Sequence, residues 1–343
     1  MSSNKENDNI ILIFSDVHLG NFTSKIHLFK SFLSKILEEK QWSTLEYIFI
    51  LGDFLDLLFD TLPAIKNKYD DILSLISRIY KELDLKIIYV LGNHEIPVNK
   101  NPFNDEYFNS FEESKRVLLK KFEKNDFNYD FFQEKLTCQY IILKNTHNNN
   151  LKLFLHDSLY SKPIDIFSID NISIDNKISC LLTHGHQFDG IETRYIVSIF
   201  WRILLESPDQ AYKDLADYMW NWVIRRGRKI SNLTFDEVKS KVKGIDLNTF
   251  KTMKFSMRII EKFERKRLRK KYYIKQITEY MEDLKDPEEF NTIIYGHSHE
   301  KHDIVKNINN KKVRLINSGA WQHVLKPSFI TIDKSGTITL REF

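Results

Sequence analysis

Apolar and polar positions follow two rhythms along this chain. Ile10 to Phe14, Tyr47 to Leu51 and Lys86 to Leu91 are short, almost unbroken apolar runs rich in β-branched and aromatic residues. Such runs predict strands buried on both faces. Between them, Ile26 to Lys40 and Leu62 to Leu83 place apolar residues three and four apart, which predicts two amphipathic helices. The order strand, helix, strand, helix, strand argues for an α/β fold whose sheet has parallel neighbours. Three more strands are expected at Cys138 to Lys144, Leu151 to His156 and Ile178 to Thr183. The turn-forming cluster Asn145 to Asn150 joins the first two as a hairpin. Towards the C-terminus, strands are expected at Thr292 to Tyr295, Val313 to Ile316, Phe329 to Asp333 and Thr337 to Arg341, with Lys334-Ser335-Gly336 as a hairpin turn. Residues 99 to 135 are polar and aromatic-rich, helical in part, and carry no chemical signal.

The strand rhythm stops between His186 and Asn291. Ile191 to Leu205, Ala211 to Ile224, Phe235 to Val242 and Phe255 to Met281 all read as helices. The chain is therefore expected to consist of a first core part (1–187), a helical insertion (188–290) and a segment that completes the core (291–343).

Composition narrows the class without naming it. A length of 343 residues with 42% apolar and 29% charged residues is that of a globular chain with a sizeable core. The two cysteines, Cys138 and Cys180, lie in strand-like runs, so a reducing compartment fits better than a disulfide framework. The first nine residues are polar and no window is apolar enough to span a bilayer, so a cytoplasmic location is expected. The net charge of +4 is concentrated: residues 188–290 hold 22 Lys and Arg against 17 Asp and Glu, which leaves the remainder near −1.

The chemistry lies in five segments, each after an apolar run. They are Asp16-Val17-His18, Gly52-Asp53-Phe54-Leu55-Asp56, Gly92-Asn93-His94-Glu95, His184-Gly185-His186 and Gly296-His297-Ser298-His299, and they hold six of the eleven histidines. Strand ends project polar side chains from rigid backbone into a shared crevice. Carboxylate, imidazole and amide oxygen suit borderline divalent cations, and a carboxylate can bridge two of them. His27, His147 and His323 read as surface or partly packed residues. His156 and His302 lie near the motifs without an evident role, and His186 reads equally as a phosphate contact or a solvated loop residue.

In that order, the segments resemble the calcineurin-like metallophosphoesterase superfamily, whose pattern is D-x-H, G-D-x-x-D, G-N-H-(D/E), a single His segment, then G-H-x-H. The resemblance covers residues 10 to 187 and 291 to 320. It implies an αββα sandwich, two packed mixed sheets flanked by helices, carrying a helical insertion. It further implies that Asp16, His18, Asp53 and His299 hold one metal and that Asp53, Asn93, His184 and His297 hold the other, with Asp53 bridging. Two divalent ions are implied, Mn²⁺ first and Fe²⁺ or Zn²⁺ as alternatives, sharing a hydroxide that attacks phosphorus in line. His94 is expected to act in catalysis without ligating, with Asp56 orienting its imidazole. Gly52, Gly92 and Gly296 are read as permitting the turns that aim the ligands.

The insertion leaves and returns between the fourth and fifth motifs, so it is the expected substrate-reading element. Its tryptophans and basic runs suit a lipid-linked substrate and peripheral contact with an anionic membrane. Such an insertion, with the start Ser15-Asp16-Val17-His18-Leu19, resembles the UDP-2,3-diacylglucosamine pyrophosphohydrolase-like group, although His94 stands where that group has arginine. The expected activity is hydrolysis of a phosphodiester or pyrophosphate in a lipid-linked or nucleotide-like substrate. A nuclease acting on DNA or RNA is disfavoured by the length of the insertion. A phosphomonoesterase acting on protein or small molecules is supported by Gly92-Asn93-His94-Glu95, but the G-D-x-H-G and G-D-x-V-D-R-G patterns of protein phosphatases are absent, since Leu19 follows His18 and Leu57-Leu58 follow Asp56.

Overall fold

A computed structural model describes residues 9–21, 23–57, 60–95, 111–145, 151–158, 162–169, 178–188, 211–212, 214–215, 218–219, 230–267, 270–283, 290–322 and 325–343. Its strands are β1 (Asn9–Phe14), β2 (Tyr47–Leu51), β3 (Lys86–Val90), β4 (Thr137–Cys138), β5 (Tyr140–Asn145), β6 (Leu151–His156), β7 (Asp165–Ile169), β8 (Ser179–Thr183), β9 (Thr292–Tyr295), β10 (His302–Ile308), β11 (Lys311–Asn317), β12 (Ser328–Asp333) and β13 (Ile338–Glu342). They form a six-stranded sheet, ordered β13-β12-β1-β2-β3-β4, and a seven-stranded sheet, ordered β10-β11-β9-β8-β5-β6-β7. Both are mixed. The run β1-β2-β3-β4 is parallel in the first sheet, as is β8-β9-β11 in the second.

Strand pleat explains why the apolar runs are unbroken. Ile11, Ile13, Phe49, Leu51, Ile88 and Val90 point to the core between the sheets, where Ile141, Leu143, Leu153 and Leu182 meet them. The alternate residues Leu12, Phe14, Ile48, Ile50, Ile87 and Tyr89 point to the opposite face. There α1 (Ile26–Glu38), α2 (Leu62–Glu82) and α3 (Phe111–Lys124) cover them through Phe29, Phe32, Ile72, Ile76, Leu118 and Phe122. A strand buried on both sides has no solvent face on which to place polar residues.

Residues 111–135, expected to be helical in part, supply α3 and an aromatic wedge. Phe131 and Phe132 stack with ring centroids 4.4 Å apart, and Phe132 meets Tyr89 edge-on at 4.9 Å. Phe131 also meets Phe54, the residue after Asp53, at 6.4 Å. This wedge buttresses the loop that follows β2.

The strands β7 and β10 are absent from the sequence reading. They are the two edges of the second sheet, so their outer positions face water: Ile166 is 50% exposed and Val305 60%. A continuous apolar run marks only a doubly buried strand.

Two compact units divide the chain, Met1–Gln187 with Ile277–Phe343, and Phe188–Gln276. The second has its own core of Leu215, Met219, Ile230, Leu233, Val238, Phe250, Met253 and Met257. Within it, α4 (Phe235–Lys239) starts with a capping box between Thr234 and Glu237. The expected helix Phe255 to Met281 is two helices, α5 (Leu247–Arg267) and α6 (Lys270–Asp283). The earlier start of α5 comes from Asp246, whose carboxylate accepts the N–H groups of Asn248 and Thr249. The expected helix Ile191 to Leu205 lies outside the described residues, as does most of Ala211 to Ile224. No helix among the described residues is long and apolar enough to cross a membrane.

Candidate metal centre

The motif residues follow the C-terminal ends of β1, β2, β3, β8 and β9, which the two sheets bring to one edge. The loops there are stitched to one another: Asp16 N–H donates to Gly52 O at 3.0 Å and His18 N–H to Asp53 O at 2.8 Å. His297 N–H donates to the Asp16 carboxylate at 3.0 Å. Asp16, His18, Asp53, His297 and His299 all have φ between 49° and 64°. Left-handed backbone at five non-glycine positions costs free energy, and it clusters where a fold holds functional groups in place.

Two groups of donor atoms result. In one, Asp16 Oδ1 lies 3.2 Å from His299 Nε2 and 3.8 Å from His18 Nε2, and the two imidazole nitrogens are 3.3 Å apart. In the other, His184 Nε2 lies 3.2 Å from each of Asp53 Oδ2, Asn93 Oδ1 and His297 Nδ1. Asp53 Oδ2 also lies 3.8 Å from His18 Nε2, which places it between the groups. Ligands about 2.1 Å from a shared cation are themselves roughly 3–3.5 Å apart, so the donor set fits metal ions. The second nitrogens agree: His184 Nδ1 donates to Leu51 O at 2.7 Å, and His18 Nδ1 to Asp56 at 3.0 Å. Each hydrogen bond leaves the lone pair of Nε2 facing the cluster.

Asp56 serves two histidines. Its Oδ1 lies 2.7 Å from His94 Nδ1, while Oδ2 takes His18 Nδ1 and, at 2.9 Å, Asn21 Nδ2. Asn21 is itself fixed by the N–H and hydroxyl of Thr23. Burial opposes charge on Asp56, but His94 and His18 outweigh it and hold the carboxyl far below its usual range. Asp16 behaves alike, with His18 and His299 outweighing burial. For His184, burial opposes the imidazolium, but Asp53 and Asp16 push its pKa up to about 9. His94 also rises, against burial, through Asp56 and Asp53.

Glu95 has a role that its place in the motif does not predict. Its carboxylate accepts N–H groups from Asp53 (3.0 Å), Phe54 (2.6 Å), Leu55 (2.9 Å) and Gly92 (2.6 Å), and the Tyr89 hydroxyl at 2.5 Å. Burial and the charge of Asp53 push its pKa up, whereas these donors pull it down. On balance its pKa is raised, and four of the five partners are backbone N–H groups, to which the carboxyl oxygens can only accept. No local sequence signal marks this role, because the N–H groups it serves come mostly from the loop after β2.

Gly52 has a φ of 78°, in keeping with the turn expected of it, but two of the three glycines need a different explanation. Gly92 and Gly296 lack positive φ. A Cβ on Gly92 would overlap the Asp53 carboxylate, and one on Gly296 the Asp16 carboxylate and Ser15 hydroxyl. The requirement is close approach.

Among the remaining histidines, His186 lies beside the ligand rings, 5.5 Å from His184 and 6.2 Å from His297 between centroids. His156 ends β6, and His27 is exposed. His302 is buried and bonded to the Tyr295 hydroxyl and Glu300 O, a packing role. His147 and His323 lie outside the described residues.

Two packed mixed sheets with carboxylate–imidazole clusters at converging strand ends define a phosphoric-ester hydrolase of the metal-dependent class. The profile of the calcineurin-like phosphoesterase family matches residues 10–301, and the chain belongs to that family. The family implies a centre of two divalent metals, which the clusters Asp16/His18/His299 and Asp53/His184/His297 fit. Among solved structures the chain is similar to a dimetal phosphatase from Danio rerio, at 9% identity over 98% of this chain and 96% of the other, with a TM-score of 0.36. It is also similar to NAD nucleotidase from Haemophilus influenzae, at 12% identity over 97% of this chain and 49% of the other, with a TM-score of 0.33. No curated protein matches the sequence significantly.

Proposed function

We propose that the chain hydrolyses a phosphodiester or pyrophosphate bond at two divalent cations, Mn²⁺ first among them. Asp16, His18, Asp53 and His299 hold one, and Asp53, Asn93, His184 and His297 hold the other. The observation that carries this reading is the position of Asp53 Oδ2, 3.8 Å from His18 Nε2 and 3.2 Å from His184 Nε2. When bound, the ions polarise the phosphoryl oxygens and make water acidic enough to supply a nucleophile at neutral pH. His94 does what the ligands cannot. Its Nδ1 is committed to Asp56, its pKa is raised, and it is 18% exposed where His18 and His184 are buried. It therefore donates a proton from Nε2 to the leaving oxygen.

The substrate class proposed is lipid-linked or nucleotide-like. Support comes from α5, whose Phe250, Met253 and Met257 are buried while Leu247, Lys251, Phe255 and Arg258 face water, Phe255 being 64% exposed. An exposed aromatic among cations suits an anionic lipid surface. His94 in place of arginine keeps the reading at the class of bond and does not extend it to the UDP-2,3-diacylglucosamine substrate itself.

The test is hydrolysis of bis-p-nitrophenyl phosphate by Mn²⁺-loaded protein, followed by lipid pyrophosphates, nucleotide diphosphate sugars, cyclic nucleotides and single-stranded DNA. Turnover that survives EDTA removes the mechanism. Binding to short duplex DNA without co-sedimentation on anionic liposomes moves the reading to a nuclease.

A further inference from the structure

Among the described residues, Lys115 and Asp157 form a lysine–carboxylate pair with both side chains about nine-tenths buried, and the chemistry above does not use it. Lys115 lies on the inward stripe of α3 with Ser114, Leu118 and Phe122. Asp157 follows the end of β6. Their closest approach, Nζ to Oδ2, is 3.7 Å, too long for a hydrogen bond, and among the described residues the buried Oδ1 of Asp157 has no hydrogen-bond partner. Burying two charges is costly and leaving a carboxylate oxygen unsatisfied adds to the cost, so a fold retains such a pair where it is used.

Its place in the topology gives the use. β6 and β8 both run antiparallel to β5, so their C-terminal ends share one sheet edge. Tyr140 pairs with His156 on one side and with Thr183, the residue before His184, on the other. Two strand spacings make that roughly 10 Å. Gln139 N–H donates to His156 O, and Leu91 N–H, just ahead of the Asn93 motif, donates to Cys138 O. The pair therefore flanks the centre on the side of Asn93 and His184.

The carboxylate disfavours a second phosphate there, and the ammonium disfavours a cation. A hydroxyl satisfies both, donating to Asp157 Oδ1 and accepting from Lys115 Nζ. We propose that Lys115 and Asp157 form a subsite for the hydroxylated sugar of the substrate, beside the phosphorus under attack. This rests on the phosphoesterase reading and names the part of the substrate it selects.

The experiment is calorimetric titration of the Mn²⁺-loaded full chain with inorganic phosphate, ribose 5-phosphate and glucose 1-phosphate. The parent protein should bind at least one sugar phosphate about tenfold or more tighter than phosphate, as a hydrogen bond to a charged group implies. Preference for ribose points to a nucleotide-type substrate, and preference for glucose to a hexose-type one. Lys115→Met, Asp157→Asn and the double variant should lose the preference and keep phosphate affinity. The double variant leaves no lone buried charge, and its unfolding midpoint checks the fold. Equal affinity for all three ligands in the parent, a preference that survives in the double variant, or loss of phosphate affinity along with it overturns the subsite. Absence of metal-dependent hydrolysis with the sugar preference intact overturns the phosphoesterase reading instead.

Discussion

The carboxylate of Glu95 accepts the backbone N–H of Asp53 at 3.0 Å, so the residue between the two ligand clusters is held by a side chain from the next motif. The same carboxylate takes the N–H groups of Phe54, Leu55 and Gly92, tying the loop after β2 to the loop after β3. Glu95→Gln keeps the shape but turns one acceptor oxygen into an NH₂ facing donors. Each unsatisfied buried group costs about 1–3 kcal/mol. The variant should lose about 3 kcal/mol in denaturant unfolding and hold less metal by elemental analysis, although no proposed ligand has changed. Parental stability together with full metal content would show that the loops are fixed by other contacts.

Asp56 joins ligand support to proton transfer, and substitution of His94 separates them. His94→Ala should retain two ions and lose turnover by about 10²–10⁴-fold, the range of a general acid. Asp56→Asn should reduce both rate and metal content, because His18 Nδ1 depends on the same carboxylate as His94. Metal analysis beside kcat distinguishes the two. A His94→Ala protein depleted of metal would make His94 a ligand and end its assignment as the acid.

Protons and cations compete for the same atoms. In metal-free protein the pKa of His184 is raised from 6.5 to about 9 by Asp53 and Asp16 against burial. A raised folded-state value contributes stability in full below pH 6.5 and loses it as pH rises through 9. From that shift the contribution is on the order of 3 kcal/mol. Asp16 and Asp56 are lowered, so their contribution is present above 3.8 and lost in acid. Cations bind the deprotonated ligands and replace the protons. EDTA-treated protein should therefore lose thermal stability between pH 6.5 and 9, while Mn²⁺-loaded protein should not. A flat profile for the metal-free protein over that window contradicts the proposed charge pairing.

Much of this architecture is legible in sequence because it rests on strands buried twice. Tyr47–Leu51, Leu151–His156 and Thr292–Tyr295 coincide with the apolar runs that predicted them. The residues brought together at the metal centre are those whose motifs stand just after such runs. What escaped was relational. Glu95 looks like any acidic residue until the N–H groups it serves arrive from another loop. The edge strands β7 and β10 show water half their side chains, and Asp246 is a cap only because α5 begins beside it. Lys115 reads as one more charge on a polar helix, and only the packing of α3 turns it inward.

Gly92 tests whether the spacing of the ligands or merely their identity matters. β2 and β3 are paired in register up to Leu51 and Val90, so the backbone on either side of the contact cannot easily retreat. A Cβ at Gly92 would occupy the space of the Asp53 carboxylate. Gly92→Ala should therefore displace Asp53, destabilise the fold by about 1–3 kcal/mol as overpacking does, and cut metal-dependent turnover more than tenfold. Gly244 is the control: a Cβ there meets open space apart from Ala211 at 3.8 Å, and its φ of +78° adds only local backbone strain. Gly244→Ala should cost about 1 kcal/mol and leave turnover unchanged. Unfolding curves and kcat/KM for both variants decide the matter. If Gly92→Ala loses stability but keeps its rate and its metal, the close packing of the two loops serves folding alone.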